Sequence, residues 1–247
     1  MEKNDIVILA AGHGKRMQSD IPKALTLLAG KPLLEHVLDA IWASGTLVEP
    51  VIVIGQKRDH IREALGPDRR YAVQEEQLGT GHAVLSASGA IHPDAESVLV
   101  LNADNPLVAP ETIRRLFEER KKSGTKIVLG TVTIPDFEDW RAAFLGFGRI
   151  KRTAGGEIEA IVESKDANAE EREILELNPT FLCFEKDWLL RSLAKLGNAN
   201  AQGEYYLTDL IKMAFFEGEK VSSVAVDPKE AVGVNSRADL LIAEQIL

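Results

Sequence analysis

Short apolar runs alternate with segments of helical character along the first half of the chain. Runs that are typical of buried strands occupy residues 6–9, 51–54, 71–73, 98–101 and 126–132. Helices are predicted over residues 33–42, where the apolar face includes Trp42, over 57–65, from Gly79 to about Ala90, and from Pro110 onward. This alternation predicts a parallel α/β sheet with right-handed crossovers, in which ligands bind beyond the carboxyl ends of the strands.

The pattern changes after Pro135. Hairpin strands are predicted between residues 146 and 163, followed by a charged helix over 165–176, a strand over 177–184 and a helix over 186–195. A helix over 207–216, a strand over 220–226 and a last helix from Ser236 complete the chain. We therefore expect one domain over residues 1–247, with an inserted or appended substrate lid.

The first apolar run leads into a turn rich in glycine and positive charge. Gly12 and Gly14 lie in this turn, and the cations Lys15, Arg16 and Lys23 lie in it or just beyond it. Glycine lets a ligand approach the backbone N–H groups closely, and nearby cations neutralise phosphate, so the turn suits a polyphosphate. It matches neither the P-loop nor the three-glycine dinucleotide fingerprint. A solvated basic loop at a strand end is the alternative.

Two candidate metal ligands lie in later turns. Asp104 follows the strand at 98–101, where a carboxylate is an apt ligand for Mg²⁺. The alternative for Asp104 is an ordinary turn residue before Pro106. Asn235 could supply a neutral oxygen to the same ion, and the alternative is an N-cap of the last helix.

Polar residues also follow the strand at 71–73. Gln74 and Gln77 can present amide groups to the edge of a pyrimidine base, or they can be solvated. Gly79 and Thr80 can offer backbone N–H groups to a ligand, or they can begin a helix without binding anything. His82 is expected to pack on that helix and has no assigned catalytic role.

The amino-acid composition limits which partners and which cellular compartment the protein is expected to have. The net charge of −9 disfavours a nucleic-acid surface, and a divalent cation would help an acidic protein to bind a nucleotide. The single cysteine, Cys183, lies in an apolar run, is predicted to be a core residue and fits a reducing cytoplasm. No apolar run is long enough to predict a membrane helix.

Several short segments, taken in order, resemble a known family. They are Leu9-Ala10-Ala11-Gly12-x-Gly14-x-Arg16-Met17 with Pro22-Lys23, Gln74-x-x-Gln77-Leu78-Gly79-Thr80-Gly81-His82-Ala83, Phe147-Gly148-Arg149-Ile150, Ile161-Val162-Glu163-x-Lys165-Asp166-Ala167, residues 200–209, and Gly233-Val234-Asn235. The first segment resembles the signature of sugar-phosphate nucleotidyltransferases. The whole set is similar to the uridylyltransferase domain of bacterial bifunctional N-acetylglucosamine-1-phosphate uridylyltransferases. We expect the chain to lack the hexapeptide-repeat acetyltransferase half of that family, and to be a monomer or a small homo-oligomer.

The resemblance implies a fold and a set of site residues. The fold is a Rossmann-like mixed, mostly parallel sheet flanked by helices, with a nucleotide-binding half of about residues 1–132 and a sugar-phosphate-binding half of about 133–247 that includes a small β-rich lid. UTP binding is implied for Leu9, Ala10, Ala11, Gly12, Gln74, Gln77, Gly79 and Thr80. Phosphate binding and catalysis are implied for Arg16 and Lys23, sugar-phosphate binding for Gly148, Glu163, Asn178, Tyr206 and Thr208, and Mg²⁺ binding for Asp104 and Asn235.

The implied reaction is Mg²⁺-dependent transfer of a uridylyl group from UTP to N-acetylglucosamine 1-phosphate, a step of cell-wall precursor synthesis. The sequence departs from the family at Asn102 and Ala103, where a tyrosine and a glycine are usual, and at Asn178-Pro179-Thr180, where Asn-Thr-Gly is usual. A nucleotidyltransferase for another sugar 1-phosphate or nucleotide therefore stays open. A non-catalytic nucleotide-binding regulatory subunit is the other alternative, and the retained phosphate- and metal-binding residues argue against it.

Overall fold

A computed structural model describes residues 3–12, 21–56 and 58–247 of the chain. The strands are β1 (Asn4–Leu9), β2 (Leu27–Leu28), β3 (Lys31–Pro32), β4 (Val51–Ile54), β5 (Arg70–Val73), β6 (Ser97–Asn102), β7 (Ile127–Thr133), β8 (Gly148–Arg152), β9 (Ile158–Val162), β10 (Glu176–Asn178), β11 (Leu182–Glu185) and β12 (Val221–Ala225). The α-helices are α1 (Leu33–Ala43), α2 (Arg58–Leu65), α3 (Thr80–Ser86), α4 (Pro110–Ser123), α5 (Ala169–Arg172), α6 (Lys186–Leu193), α7 (Asp209–Phe216) and α8 (Arg237–Ile246). None of the described helices combines the length and the apolar composition that crossing a membrane requires.

Ten strands form one sheet, in the order β5-β4-β1-β6-β11-β7-β10-β8-β9, with β12 paired to β7. The pairs among β5, β4, β1 and β6 are parallel, as is the pair of β7 with β12. The pairs that involve β11, β10 and β9 are antiparallel. It follows that β1, β4–β8 and β12 run in one direction and β9–β11 in the other, which confirms the mixed, mostly parallel sheet.

The central strands of the sheet are buried on both faces. Along β1, Ile6 and Ile8 pack into a cluster with residues of α1 and α4, whereas Val7 packs into a cluster with residues of α3, α6 and α7. Strands covered by helices on both faces must be apolar at consecutive positions, which explains the continuous apolar runs. Cys183, in β11, is fully buried in this core, as predicted.

Helix boundaries in the first half follow local signals. α4 begins at Pro110 and ends before Gly124, which takes the left-handed conformation (φ 65°) that closes many helices. α3 ends at Ser86 and continues only as a short 3₁₀ turn, Ser88–Ala90, so the predicted end at Ala90 is slightly too late. Trp42 was expected on the apolar face of α1, but it is 43% exposed and stacks with Arg69, whose guanidinium carbon is 5.0 Å from the ring centroid.

Two predictions for the second half are wrong. Helix appears only over Ala169–Arg172 in the segment 165–176, because Asn168 and Glu171 form a capping box and the chain then enters β10. The strand predicted over 177–184 is two strands, since Thr180 turns the backbone with a φ of 65° between β10 and β11. Pro179, which has no backbone N–H for a ladder, precedes that turn.

The β-rich part of the second half extends the main sheet. β8, β9 and β10 pair antiparallel to one another and continue the sheet from β7. β11, also from the second half of the chain, lies between β6 and β7 of the first half. Residues of both halves therefore meet along the carboxyl ends of β1, β5 and β6, where the candidate site lies.

Candidate active site

A cleft of about 630 Å³ opens at the carboxyl ends of β1, β5 and β6, and we call it the first cavity. It is lined by Leu9, Ala10, Ala11, Gly12, Lys23, Ala24, Gln74, Gln77, Gly79, Thr80, Ala83, Asn102, Ala103, Asp104, Glu204 and Asn235. Nearly all residues that the sequence assigned to the nucleotide and the metal are in this set. Arg16 was assigned to the phosphates and lies outside the described residues.

The end of β1 is held rigidly by its neighbours. The Ala10 N–H donates to the Val53 carbonyl at 2.9 Å, and the Ala103 N–H donates to the Leu9 carbonyl at 3.0 Å. Ala10 and Ala11, which follow the strand, line the cleft with small side chains.

Both glutamines use their amide nitrogens inside the protein. Gln74, which is 3% exposed, donates through Nε2 to the Gly79 carbonyl at 3.1 Å, and the same nitrogen is 3.1 Å from His82 Nδ1. Gln77 donates through Nε2 to the Ala11 carbonyl. Among the described contacts, their Oε1 atoms are thus the amide atoms left to accept a hydrogen bond from a ligand, for example from the imide N–H of a uracil ring.

The loop from Leu78 to Gly81 lies directly against Tyr205. The Gly81 N–H donates to the Tyr205 carbonyl and the Tyr205 N–H donates to the Leu78 carbonyl, both at 2.8 Å. A Cβ on Gly79, whose φ is 111°, would come within 2.7 Å of the Tyr205 carbonyl oxygen, and a Cβ on Gly81 would come within 2.5 Å of Leu196 Cδ1. The glycines are therefore needed for close approach between the two halves of the chain.

Asp104, Asn235 and Lys23 form the polar centre of the site. The Lys23 ammonium group contacts the Asp104 carboxylate and donates to Asn235 Oδ1 at 3.0 Å. The Val234 N–H donates to the Asp104 carbonyl at 2.8 Å, which ties the two turns together. The N-cap of α8 is Ser236, whose hydroxyl accepts from the Asp239 N–H, so the capping alternative for Asn235 is wrong.

This centre has the chemistry of a divalent-cation site. A carboxylate and an amide oxygen are hard donors, and a positive group already lies between them. In the described part of the chain, no three His, Cys, Asp or Glu side chains cluster as metal ligands. A metal ion held by Asp104 and Asn235 would therefore take its remaining ligands from substrate oxygens and water, which is the usual arrangement for Mg²⁺.

A second cavity, of about 190 Å³, adjoins the first. It is lined by Asn102, Asp104, Asn105, Gly146, Phe147, Gly148, Glu163, Asn178, Pro179, Thr180, Gly233 and Asn235. Asn102, Asp104 and Asn235 line both cavities, so a ligand in each would meet at the Asp104–Asn235 centre. Gly148, Glu163 and Asn178, for which the family resemblance implies sugar-phosphate binding, all line the second cavity.

Tyr206 and Thr208 are not among the described residues that line either cavity. Thr208 donates through its hydroxyl to Glu163 Oε1 at 2.8 Å and so positions that carboxylate. Burial raises the pKa of the Glu163 carboxyl, and the nearby carboxylates of Asp209 and Asp166 raise it further. The Tyr206 hydroxyl donates to Asp166 Oδ2 at 3.3 Å. Burial raises the pKa of the Tyr206 hydroxyl to about 12.

Arg149 supports the wall of the second cavity from behind. It is only 2% exposed, and its guanidinium group donates to the carbonyls of Leu145 and Phe147 and lies 5.0 Å from the centroid of the Phe137 ring. Burial lowers its pKa. The hydrogen bonds fix the backbone just before Gly148, so Arg149 shapes the cavity without lining it.

Sequence reasoning did not assign several lining residues to the site. Glu204 lines the first cavity, and Asn105 and Phe147 line the second. The signal for Glu204 was its place at the end of the unpatterned polar stretch 197–204.

The fold and the site define a nucleotidyltransferase. The chain matches the model of the MobA-like NTP transferase domain over residues 6–208 and belongs to that family. Among curated relatives, it is 40% identical over 248 residues to the "Bifunctional protein GlmU" of Caldicellulosiruptor saccharolyticus, a match that covers 100% of this chain and 52% of the relative. It is also 40% identical over 244 residues to the protein of that name from Desulfotalea psychrophila, covering 98% of this chain and 70% of the relative. These relatives confirm the resemblance that the sequence segments indicated.

The chain spans about half the length of the first relatives it matches, including one from Heliobacterium modesticaldum that is 42% identical over 250 residues. Among solved structures, it superposes on a UDP-glucose pyrophosphorylase complexed with UDP-glucose with a TM-score of 0.77 at 17% identity, covering 99% of this chain and 98% of that one. A CMP:2-keto-3-deoxy-manno-octonic acid synthetase complexed with CTP gives a TM-score of 0.69 at 16% identity, with coverages of 99% and 98%. These structural matches show the shared fold.

Proposed function

We propose that this protein transfers a uridylyl group from UTP to N-acetylglucosamine 1-phosphate, forming UDP-N-acetylglucosamine and pyrophosphate. The observation that carries the proposal is the pair of adjoining cavities that meet at Asp104 and Asn235. A reaction between two phosphate-bearing substrates needs such a shared centre, because the two polyanions must be held in line for the reaction to occur.

The first cavity has the features that a uridine nucleotide requires. The amide oxygen of Gln74 or of Gln77 can accept a hydrogen bond from the single imide N–H of uracil, and Gly79 lines the same cavity. Lys23 lines the same cleft, and Lys23 and Arg16 are both proposed to bind the triphosphate. These cations would neutralise the triphosphate and stabilise charge on the α-phosphoryl group.

The second cavity is proposed to hold the sugar 1-phosphate. Glu163 and Asn178 offer a carboxylate and an amide at its wall, which suits the hydroxyl groups of a sugar. Tyr206 and Thr208 are proposed to act indirectly, since Thr208 holds Glu163 and Tyr206 binds Asp166.

The proposed chemistry is an in-line displacement at phosphorus. A phosphate oxygen of the sugar 1-phosphate forms a bond to the α-phosphorus of UTP, and the bond from that phosphorus to the bridging oxygen of pyrophosphate breaks with its electron pair. No general base is required, because a phosphate monoester with a second pKa of about 6 is largely ionised at neutral pH. Mg²⁺, when bound by Asp104 and Asn235, would supply positive charge to the phosphate oxygens of both substrates.

One observation favours a second candidate, the same transfer to a different sugar 1-phosphate. The wall of the second cavity contains Pro179 and Thr180, where the resembled family usually has threonine and glycine. A changed wall alters which ring substituents fit, whereas the phosphate centre is unaffected.

A panel of substrates tests the proposal. Pyrophosphate release is measured with UTP, CTP, ATP and GTP, each combined with the 1-phosphates of N-acetylglucosamine, glucose and N-acetylgalactosamine, and the sugar nucleotide is identified by mass. We expect UTP with N-acetylglucosamine 1-phosphate to give the highest kcat/KM. Equal rates with ATP would refute the uridine assignment, and a higher rate with another sugar phosphate would select the second candidate.

The remaining expectations are also proposals. We propose a cytoplasmic protein that acts on small molecules as a monomer or a small homo-oligomer. The division into a nucleotide-binding half of about residues 1–132 and a sugar-phosphate-binding half of about 133–247 stays a prediction.

A further inference from the structure

Thr180 holds a backbone conformation that its residue type disfavours. Its φ is 65°, in the left-handed region, where a β-branched side chain meets the backbone unfavourably. Only Ala29 and Asp139 share a positive φ among the described residues other than glycine, and neither is β-branched. Such strain persists only where the surrounding structure imposes it.

The residues on either side of Thr180 impose this conformation. Asn178 is 4% exposed and accepts the Thr180 N–H through Oδ1 at 2.9 Å. Phe181 is fully buried, and its carbonyl accepts from the Gly130 N–H at 2.8 Å. With both neighbours anchored in the core, the chain must turn at position 180, where glycine would adopt the same conformation with little strain.

The Thr180 side chain is therefore costly to the fold, but it lies where a substrate would bind. Thr180 lines the second cavity beside Asn178 and Glu163. In the described part of the chain, its backbone N–H is bonded but its hydroxyl has no protein hydrogen-bond partner. A residue that lines a cavity and has an unpartnered hydroxyl can offer that hydroxyl to a ligand that carries hydroxyl or amide groups.

We propose that Thr180 is a specificity-determining residue whose hydroxyl binds a ring substituent of the sugar 1-phosphate. The inference rests on the proposed function, because it assigns the second cavity to the sugar. The bond forms with the bound substrate and is kept in the transition state, so its loss raises KM for the sugar phosphate more than it lowers kcat.

Thr180→Val is the most informative variant, because it keeps the shape and the strain and removes only the hydroxyl. We expect KM for N-acetylglucosamine 1-phosphate to rise by about 3- to 10-fold, the worth of one hydrogen bond, with KM for UTP unchanged. Thr180→Ser keeps the hydroxyl and should restore a KM close to that of the wild type. Thr180→Gly should raise KM for the sugar phosphate by a similar factor and should melt at a higher temperature. If Thr180→Val folds poorly, Thr180→Gly therefore still tests the loss of the hydroxyl.

A matched control separates strain from recognition. Ala29→Gly relieves a positive φ (49°) in the turn between β2 and β3, outside both cavities, and should raise the melting temperature without changing KM for the sugar phosphate. The substituent is located with the 3-deoxy, 4-deoxy and 6-deoxy analogues of the sugar phosphate. With the wild type, the analogue that lacks the bound hydroxyl should show the same 3- to 10-fold rise in KM as Thr180→Val shows with the complete sugar phosphate. With that analogue, Thr180→Val should raise KM no further, because the hydrogen bond is already absent.

The outcomes distinguish this inference from the function on which it rests. If the wild type turns over but Thr180→Val and Thr180→Gly keep the wild-type KM, Thr180 is a turn residue and the inference alone is overturned. If the wild type neither binds nor turns over any sugar phosphate, the proposed function and this inference are overturned together.

Discussion

The ammonium nitrogen of Lys23 lies 3.0 Å from the side-chain oxygen of Asn235 and also contacts the Asp104 carboxylate, although Asn235 is 212 positions further along the chain. One lysine thus contacts both oxygen groups that the sequence assigned to a metal ion. A metal ion bound between these groups would have to displace Lys23. The residue that is proposed to bind the triphosphate is therefore also a competitor of the metal in the free protein.

Lys23→Met is expected to change metal binding and catalysis in opposite directions. Removal of the competing ammonium group should tighten Mg²⁺ binding to the free protein, measured by calorimetry. Turnover should fall on the order of 10²-fold, because a cation at the transferring phosphate is lost. Lys31→Met, which breaks an exposed ion pair with Asp39, is the control and should change neither. Weaker Mg²⁺ binding in Lys23→Met would show that Lys23 does not occupy the metal position.

Glu163→Gln tests the buried carboxyl group of the second cavity. Burial raises its pKa above the ordinary value of 4.5, so the folded protein holds this proton more tightly than the unfolded chain does. Wild-type stability should therefore lose this contribution as the pH rises from about 4.5 through the raised pKa. Glutamine cannot ionise and keeps an oxygen to accept from Thr208.

Thermal melts of the wild type and Glu163→Gln across pH provide the measurement. The variant should melt at a higher temperature near neutral pH, and the difference should shrink as the pH falls towards 4. Parallel melting curves at all pH values would contradict the buried, pKa-raised carboxyl. Because the carboxylate is proposed to bind the sugar, the same variant should raise KM for the sugar phosphate and leave KM for UTP unchanged.

Arg149→Met should weaken the fold and the wall of the second cavity together. Methionine fills part of the volume but leaves the carbonyls of Leu145 and Phe147 without their donor. The loss of one hydrogen bond costs about 0.5–1.5 kcal/mol, and each kcal/mol lowers Tm by roughly 2–4 °C in a protein of this size. Arg152→Met, which removes a less buried guanidinium paired with Glu176, should cost less. Equal losses in the two variants would mean that the burial of Arg149 has no special role.

The parallel half of the fold could be predicted because its signals are local. The central strands β1, β4 and β6 are apolar runs with residues packed on both faces, and α4 begins at Pro110 and ends before Gly124. The places of Asp104 and Gln74 followed from the rule that ligands bind at the carboxyl ends of parallel strands.

The antiparallel half could be predicted less well because its structure depends on distant partners. Segment 165–176 has a helical composition, but its end is fixed by pairing of β10 with β7 and β8. No local pattern indicates that Lys23 reaches Asn235, or that Gly79 and Gly81 are required by the approach of Tyr205. The break at Thr180 depends on the anchoring of Asn178 and Phe181 in the core, which only the folded structure shows.

Turnover of Asp104→Asn beside the wild type, with UTP, N-acetylglucosamine 1-phosphate and saturating Mg²⁺, tests the central claim most directly. The amide keeps the shape of the side chain but is a weaker ligand for a hard cation, so we expect kcat to fall by roughly 10²–10³-fold with little change in Tm. Asp94→Asn, which removes an exposed carboxylate paired with Lys3, should behave as the wild type. Equal amounts of pyrophosphate and UDP-N-acetylglucosamine from the wild type, with this loss in Asp104→Asn, is the result that the proposed mechanism requires. The proposed mechanism would be contradicted if Asp104→Asn turned over as fast as the wild type. It would also be contradicted if the wild type bound UTP but turned over no sugar phosphate.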